Sequence, residues 1–165
     1  ASHLPPNAKI VYLQGDGTQG SAVGRWDGFK AACLDKRPDI QLLSFVDAGW
    51  SKAEALKTMT LWMSMFPEIN GVVAGNDEMA LGAVAALKGA NRLEGCLVSG
   101  VDASAAGLAA VESGEMVQTI KQDAKAQGEA ALTLVEGFLK GNAPSGDLAI
   151  PFTSITSDNI AQAGK

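Results

Sequence analysis

Five side chains in this sequence have the chemistry to grip a neutral polyol: Arg25, Trp50, Asn76, Asp102 and Gln122. Arg, Asn, Asp and Gln present paired planar donors or acceptors that can bridge neighbouring hydroxyls. A tryptophan offers a flat apolar face to the C–H side of a ring. The charges of Arg25 and Asp102 can balance, so such a group has no need of an ionic ligand. Each residue also has a plainer use. Asn76 suits a helix cap, Asp102 a turn, Arg25 a solvated helix charge, Gln122 a solvent-facing position and Trp50 packing beneath the next helix. What sets them apart together is position, because each falls just past a predicted strand or at the start of the helix that follows one.

A second chemistry is written in Gly15-Asp16-Gly17-Thr18-Gln19-Gly20, a literal G-x-G-x-x-G between a predicted strand and a predicted helix. With Asp47 as a ribose-holding carboxylate, Gly15, Gly17 and Gly20 could cradle a dinucleotide in an enzyme domain. Two features count against this. Asp16 puts negative charge where pyrophosphate would sit. Asp47 follows Gly20 by 27 residues, later than the usual interval of about 20 within such a unit. The alternative is a glycine-rich strand-to-helix turn that binds no cofactor.

Other classes are poorly served. The chain has one histidine and two cysteines, too few for a Cys/His metal site or a disulfide framework. His3 lies beside Pro5-Pro6 near the terminus, which leaves no base for a serine or cysteine triad. Cys33 shares an apolar stripe with Ala22, Trp26 and Phe29, and Cys96 opens a strand, so both read as core. A net charge of −5 and a pI of about 4.8 supply no phosphate-neutralising surface, which argues against nucleic acid. No uncharged run exceeds ten residues, half of what a membrane-spanning helix needs. The first residues lack the basic-then-apolar pattern of a secretory signal. With 165 residues, 47% apolar and 19% charged, the chain suits one domain with a packed core.

The elements that must position these residues alternate. Lys9–Gln14, Ile40–Val46, Gly71–Gly75, Cys96–Val101 and Val117–Lys121 read as strands, with helices near 20–36, 52–66, 77–89 and 105–113 between them. Ser51 and Glu54 fit a capping box. Asn76 with Asp77 and Glu78 places acid at a helix start, Lys88-Gly89 closes that helix, and Ser104 and Gly114 bracket the next. Leu56, Met59, Met63 and Phe66 form one apolar helical face. Near-continuous apolar strands separated by helices predict an α/β fold, a doubly wound parallel sheet with helices on both faces. A further helix, 124–140, follows Asp123 and ends at Gly141, with Pro144 beyond. Leu148–Ile155 is strand-like, but Pro151 restricts it to an edge or a crossover. In open α/β sheets ligands bind beyond the carboxyl ends of the strands. All five candidates fall on that rim.

The block Asn76-Asp77-Glu78-Met79-Ala80-Leu81-Gly82-Ala83, then Val98-Ser99-Gly100-Val101-Asp102, resembles the ribose/galactose-type periplasmic sugar-binding proteins of ABC transporters, and Gly20–Lys30 is similar to that family's arginine-bearing helix. The resemblance runs from Ala8 to the end. It implies a non-enzymatic solute-binding protein without a cofactor, in which Arg25, Asn76, Asp102 and Gln122 hold sugar hydroxyls and Trp50 stacks on the ring. In such proteins two lobes close over a monosaccharide, and the closed form is offered to a membrane permease in the periplasm. By the same resemblance residues 8–122 form one sugar-binding lobe, residues 123–147 are a crossover helix and linker, and residues 148–165 are a returning strand and tail. The crossover helix would pack on an N-terminal lobe that this sequence lacks. Without that lobe, Leu132, Val135, Phe138 and Leu139 would fold back on their own sheet or meet a second copy, with Gly141–Gly146 as hinge. Lactose-repressor-type transcription regulators share looser versions of these motifs, so the effector-binding core of a regulator stays open beside the dinucleotide enzyme.

Overall fold

The computed structural model describes residues 3–142 and 146–163. The chain runs β1 (Lys9–Gln14), α1 (Gly20–Phe29), a π-helical turn (Lys30–Leu34), β2 (Gln41–Asp47), α2 (Lys52–Met65), β3 (Gly71–Ala74), α3 (Asp77–Gly89), β4 (Leu97–Val101), α4 (Ala105–Glu112), β5 (Gln118–Lys121), α5 (Ala124–Leu139), β6 (Thr153–Ile155) and a short 3-10 turn (Ile160–Gln162). The sheet order is β2-β1-β3-β4-β5-β6. The first five strands are parallel, each joined to the next through a helix, and β6 is antiparallel at the β5 edge. Pro151 lies outside β6, which starts at Thr153, as the missing proline amide requires.

Alternation along β1 divides the sheet into two faces. Val11 and Leu13 join Val72, Ala74 and Val98 in the main core, which meets Ala55, Met59 and Trp62 of α2, Met79, Ala83 and Leu87 of α3, and Ala110 and Val111 of α4. Ile10 points the other way, into a smaller cluster with Ala8, Cys33 and Ile40. Tyr12 shares that side and packs edge-on to Trp26 at 4.9 Å and flat on Phe45 at 5.4 Å. Burial beneath these rings pushes its phenol up to about 12, with Arg25 pulling slightly the other way. Both cysteines are buried and free, and burial pushes the Cys96 thiol up to about 12 against the nearby Arg92 charge.

Local differences from the sequence reading have physical causes. The first helix stops at Phe29 and widens into a π-helical turn, closed by Asp35 N–H donating to Lys30 O at 3.0 Å. In α2 the core-facing row is Ala55, Met59 and Trp62; Met63 and Phe66 flank it, and Leu56 faces outward. Half of the capping box forms. Ser51 Oγ accepts from Glu54 N–H at 3.3 Å, whereas the Ser51 amide donates to Ala48 O instead of to Glu54. No residue of α5 is buried, so this helix is not folded back onto its own sheet. Of the Gly141–Gly146 hinge, residues 143–145 lie outside the described residues.

Candidate functional site

The strand order reverses between β1 and β3: the chain leaves β1 outward to β2, then crosses back to β3 and proceeds to β4 and β5. Beyond the carboxyl ends of two such strands the connecting chains diverge and leave a crevice. Gly15 and Gly75 follow those two ends, and Trp50 fills the space over them. A Cβ at Gly15 would fall inside the Trp50 indole, and one at Gly75 would stand 3.3 Å from it. The glycines are needed there for close approach, not for a dinucleotide. Gly49 and Trp50 adopt φ of 58° and 62°, which turns the indole back over the sheet. A left-handed tryptophan costs about 1–3 kcal/mol and needs the surroundings to hold it. Its Nε1–H donates to Gln19 Oε1 at 3.0 Å.

Arg25 reaches the same crevice from α1. Its guanidinium lies over the Trp50 ring, 5.1 Å from the centroid, and Nη1 donates to the carbonyl oxygen of Gly75. Nη2 stands 3.6 Å from Asp102 Oδ1. Gln122 Nε2, past β5, donates to that same oxygen at 2.8 Å. Asp102 therefore keeps Oδ2 for another donor, and its side chain is 40% exposed, so a ligand can reach it. Burial nevertheless raises its pKa; Arg25 and the Gln122 hydrogen bond pull it down, and the Asp77 charge pushes it up.

Asn76 is more committed than its neighbours. It is buried, its Oδ1 caps α3 by accepting from Met79 N–H at 2.9 Å, and its Nδ2 donates to Trp50 O at 3.4 Å. One amide hydrogen is left for anything else. The plain reading of Asn76 as a cap is thus fulfilled whatever else it does. The five predicted residues are nonetheless one connected group: Asn76 holds the Trp50 backbone, Trp50 carries Arg25, and Arg25 and Gln122 converge on Asp102.

The glycine loop is satisfied from within. Asp47 Oδ2 accepts from Gly17 N–H at 2.7 Å, and its Oδ1 accepts from Gly49 N–H at 2.9 Å. Asp16 Oδ1 takes the amide and the hydroxyl of Thr18 at 2.9 and 2.6 Å, which holds its carboxyl below the ordinary aspartate value. Amides that would cradle a pyrophosphate therefore face carboxylates. Asp47, read above as a possible ribose ligand, ties two rim loops together.

Sequence reasoning passed over Asp77 and Thr119. Asp77 is 1% and Thr119 is 0% exposed, and both lie directly beneath the Asp102 loop. A cleft of about 500 Å³ also opens on the α1 face of the sheet, lined by Tyr12, Phe29, Ile120 and Phe152 among others. Arg25 and Gln122 touch it; Trp50, Asn76 and Asp102 do not.

A sheet of this order carries its polar cluster beyond the carboxyl ends of the parallel strands, where open α/β sheets bind ligands. The chain belongs to the periplasmic binding protein domain family, which it matches over residues 1–143. It is 37% identical over 161 residues to a xylitol-binding protein of Mycolicibacterium smegmatis, covering 97% of this chain and 46% of that protein. An ABC transporter solute-binding protein of Bacillus halodurans with bound myo-inositol superposes with a TM-score of 0.84 at 30% identity, over 94% of this chain and 54% of that one. A periplasmic solute-binding protein of Actinobacillus succinogenes with bound D-allose superposes at 0.87 and 26% identity, over 94% and 55%. The chain spans about half the length of the curated relatives it matches. The dinucleotide enzyme and the regulator core find no support among these relatives.

Proposed function

We propose that this chain is one lobe of a periplasmic solute-binding protein that captures a neutral monosaccharide or related polyol for an ABC-transporter permease and performs no chemistry on it. The observation that carries the reading is the convergence of Arg25 and Gln122 on Asp102 beyond the ends of β4 and β5, with Arg25 also over Trp50. Here a carboxylate, a guanidinium and an amide offer hydroxyl-bridging geometry with the formal charges balanced. On this reading Arg25, Asn76, Asp102 and Gln122 hold hydroxyls, Asn76 with its one spare N–H, and Trp50 supplies the apolar face. Relatives whose ligands are xylitol, myo-inositol and allose support a polyhydroxylated, uncharged ligand class.

The second wall belongs to a second lobe. The exposed apolar side of α5, with Leu132 at 67%, Phe138 at 69% and Leu139 at 79% exposure, is the surface on which that lobe packs. Leaving such side chains in water forfeits about 1.5–3 kcal/mol for each large one. Titration calorimetry of the two-lobed protein against neutral sugars, polyols and NAD(P) tests the proposal. Binding heat with at least one polyhydroxylated compound and none with the dinucleotide is expected. Heat with the dinucleotide alone would overturn it.

A further inference from the structure

Beneath the rim is a buried relay that the binding group itself does not use. Asp102 and Ala103 adopt φ of 120° and 52°, conformations that L-residues hold only when their surroundings enforce them. The enforcement comes from two buried side chains, Thr119 and Asp77. Ala103 N–H donates to Thr119 Oγ1 at 3.0 Å, and the Thr119 hydroxyl donates onward to Asp77 Oδ1 at 2.6 Å. On the far side of the loop, Ser104 N–H and Ser104 Oγ donate to Asp77 Oδ2 at 2.8 and 2.9 Å. The same Ser104 Oγ accepts from Gly107 N–H at 3.0 Å and caps α4.

Each proton in this relay has one direction. Thr119 must accept from a backbone amide, so its own hydrogen points at Asp77, and Asp77 receives every bond it makes. Space for the carboxylate is made by two glycines: a Cβ at Gly100 or at Gly107 would collide with Asp77. A buried carboxylate surrounded by donors is costly to place unless every bond is made. Here all are.

We infer that Asp77 and Thr119 are positioning residues for solute binding: they lock the left-handed Asp102–Ala103 turn so that the Asp102 carboxylate meets Arg25 and Gln122 before ligand arrives. This rests on the reading that Asp102 holds a ligand hydroxyl. The relay then acts by pre-organisation, because a turn that must be re-formed on binding lowers the apparent affinity by the fraction of time it is absent.

The test uses Thr119→Val, which keeps shape and removes the hydroxyl, in the two-lobed protein, with calorimetry against the polyol that binds best. The expected result is an affinity about tenfold weaker, restored towards wild type by Thr119→Ser. Leu87→Ala, which opens the core at the far end of α3, should lower thermal stability and leave affinity unchanged. A Thr119→Val protein that binds as wild type, or a Thr119→Ser protein as weak as Thr119→Val, overturns the inference. Asp102→Ala separates the two levels: if it keeps wild-type affinity, the reading of the site fails and the inference with it. If it weakens binding while Thr119→Val does not, only the inference fails. Should Thr119→Val not fold, hydrogen exchange of the wild-type Ala103 amide decides. Strong protection supports the relay, and exchange at the free-peptide rate overturns it.

Discussion

Asp102 stands at the centre of the rim, its Oδ1 shared by Gln122 and approached by Arg25, with its side chain 40% exposed. Replacing it by alanine in the two-lobed protein removes hydrogen bonds to a charged group, each worth about 1.5–3 kcal/mol. Binding of the preferred polyol should weaken about ten- to a hundredfold in calorimetry. A folded Asp102→Ala protein of unchanged affinity would contradict its assignment. Arg25 was legible on the rim from its place in the helix after β1, and Trp50, Asn76, Asp102 and Gln122 for one shared reason. A residue just past a parallel strand has nowhere to go but the rim, whatever its neighbours are. Asn76 was legible twice over, as cap and as rim donor, and the structure shows how fully the cap consumes it. Asp77 was legible only as an acidic residue in the first turn of α3. Its deeper role depends on the space left by Gly100 and Gly107, and nothing in the spacing of those glycines announces a carboxylate between them.

At the scale of elements, punctuation was the most readable signal. Ser51, Asn76, Ser104 and Asp123 each accept from the backbone amide three residues on, as N-caps should. Along α2 and its C-cap, Met59, Met63 and Phe66 turn toward the core as their spacing implies, whereas Leu56 faces outward and Trp62 takes an inner position that the spacing did not single out. The π-helical turn was equally unreadable, since a one-residue widening leaves hydrophobic spacing nearly intact. A further element-scale device ties the start of β2 to the segment before β1. Arg37 grips Asp39 with two bonds at 2.8 and 2.7 Å, and Asn7 N–H donates to Asp39 at 2.9 Å. These bonds hold the Asp39 carboxyl far below the usual aspartate range, the arginine fork being the larger cause. A depressed folded-state pKa contributes stability above the unfolded value of about 4, and that stability is lost as pH falls through the folded value. Asp39→Asn should therefore melt below wild type near neutral pH, and the gap should close well below about pH 4. Thermal unfolding over that range checks this, and a gap that widens on acidification would contradict it.

At the scale of the whole molecule, the β2-β1-β3-β4-β5-β6 order converts a one-dimensional list of strand ends into a single wall. Trp50 comes from the β2 side, Asn76 from β3, Asp102 from β4 and Gln122 from β5, and α1 brings Arg25 over the switch point. One wall does not enclose a ligand. The exposed apolar side of α5 and the half-length match to its relatives both fit a partner lobe that supplies the other wall. Fold class follows from alternation; the strand order does not, because the same strands and helices fit more than one order and only the structure shows β1 between β2 and β3. Nor does the way a ligand would be enclosed, because in the proposed two-lobed protein the second wall comes from the other lobe. The most direct test of the central claim is a crystal structure of the two-lobed protein with a bound polyol that titrates in calorimetry. The expected result is ligand hydroxyls within hydrogen-bond distance of Arg25, Asp102 and Gln122, with the ring or carbon chain against Trp50. A ligand seated instead in the cleft between Tyr12, Ile120 and Phe152, with the Asp102 carboxylate untouched, would contradict the account.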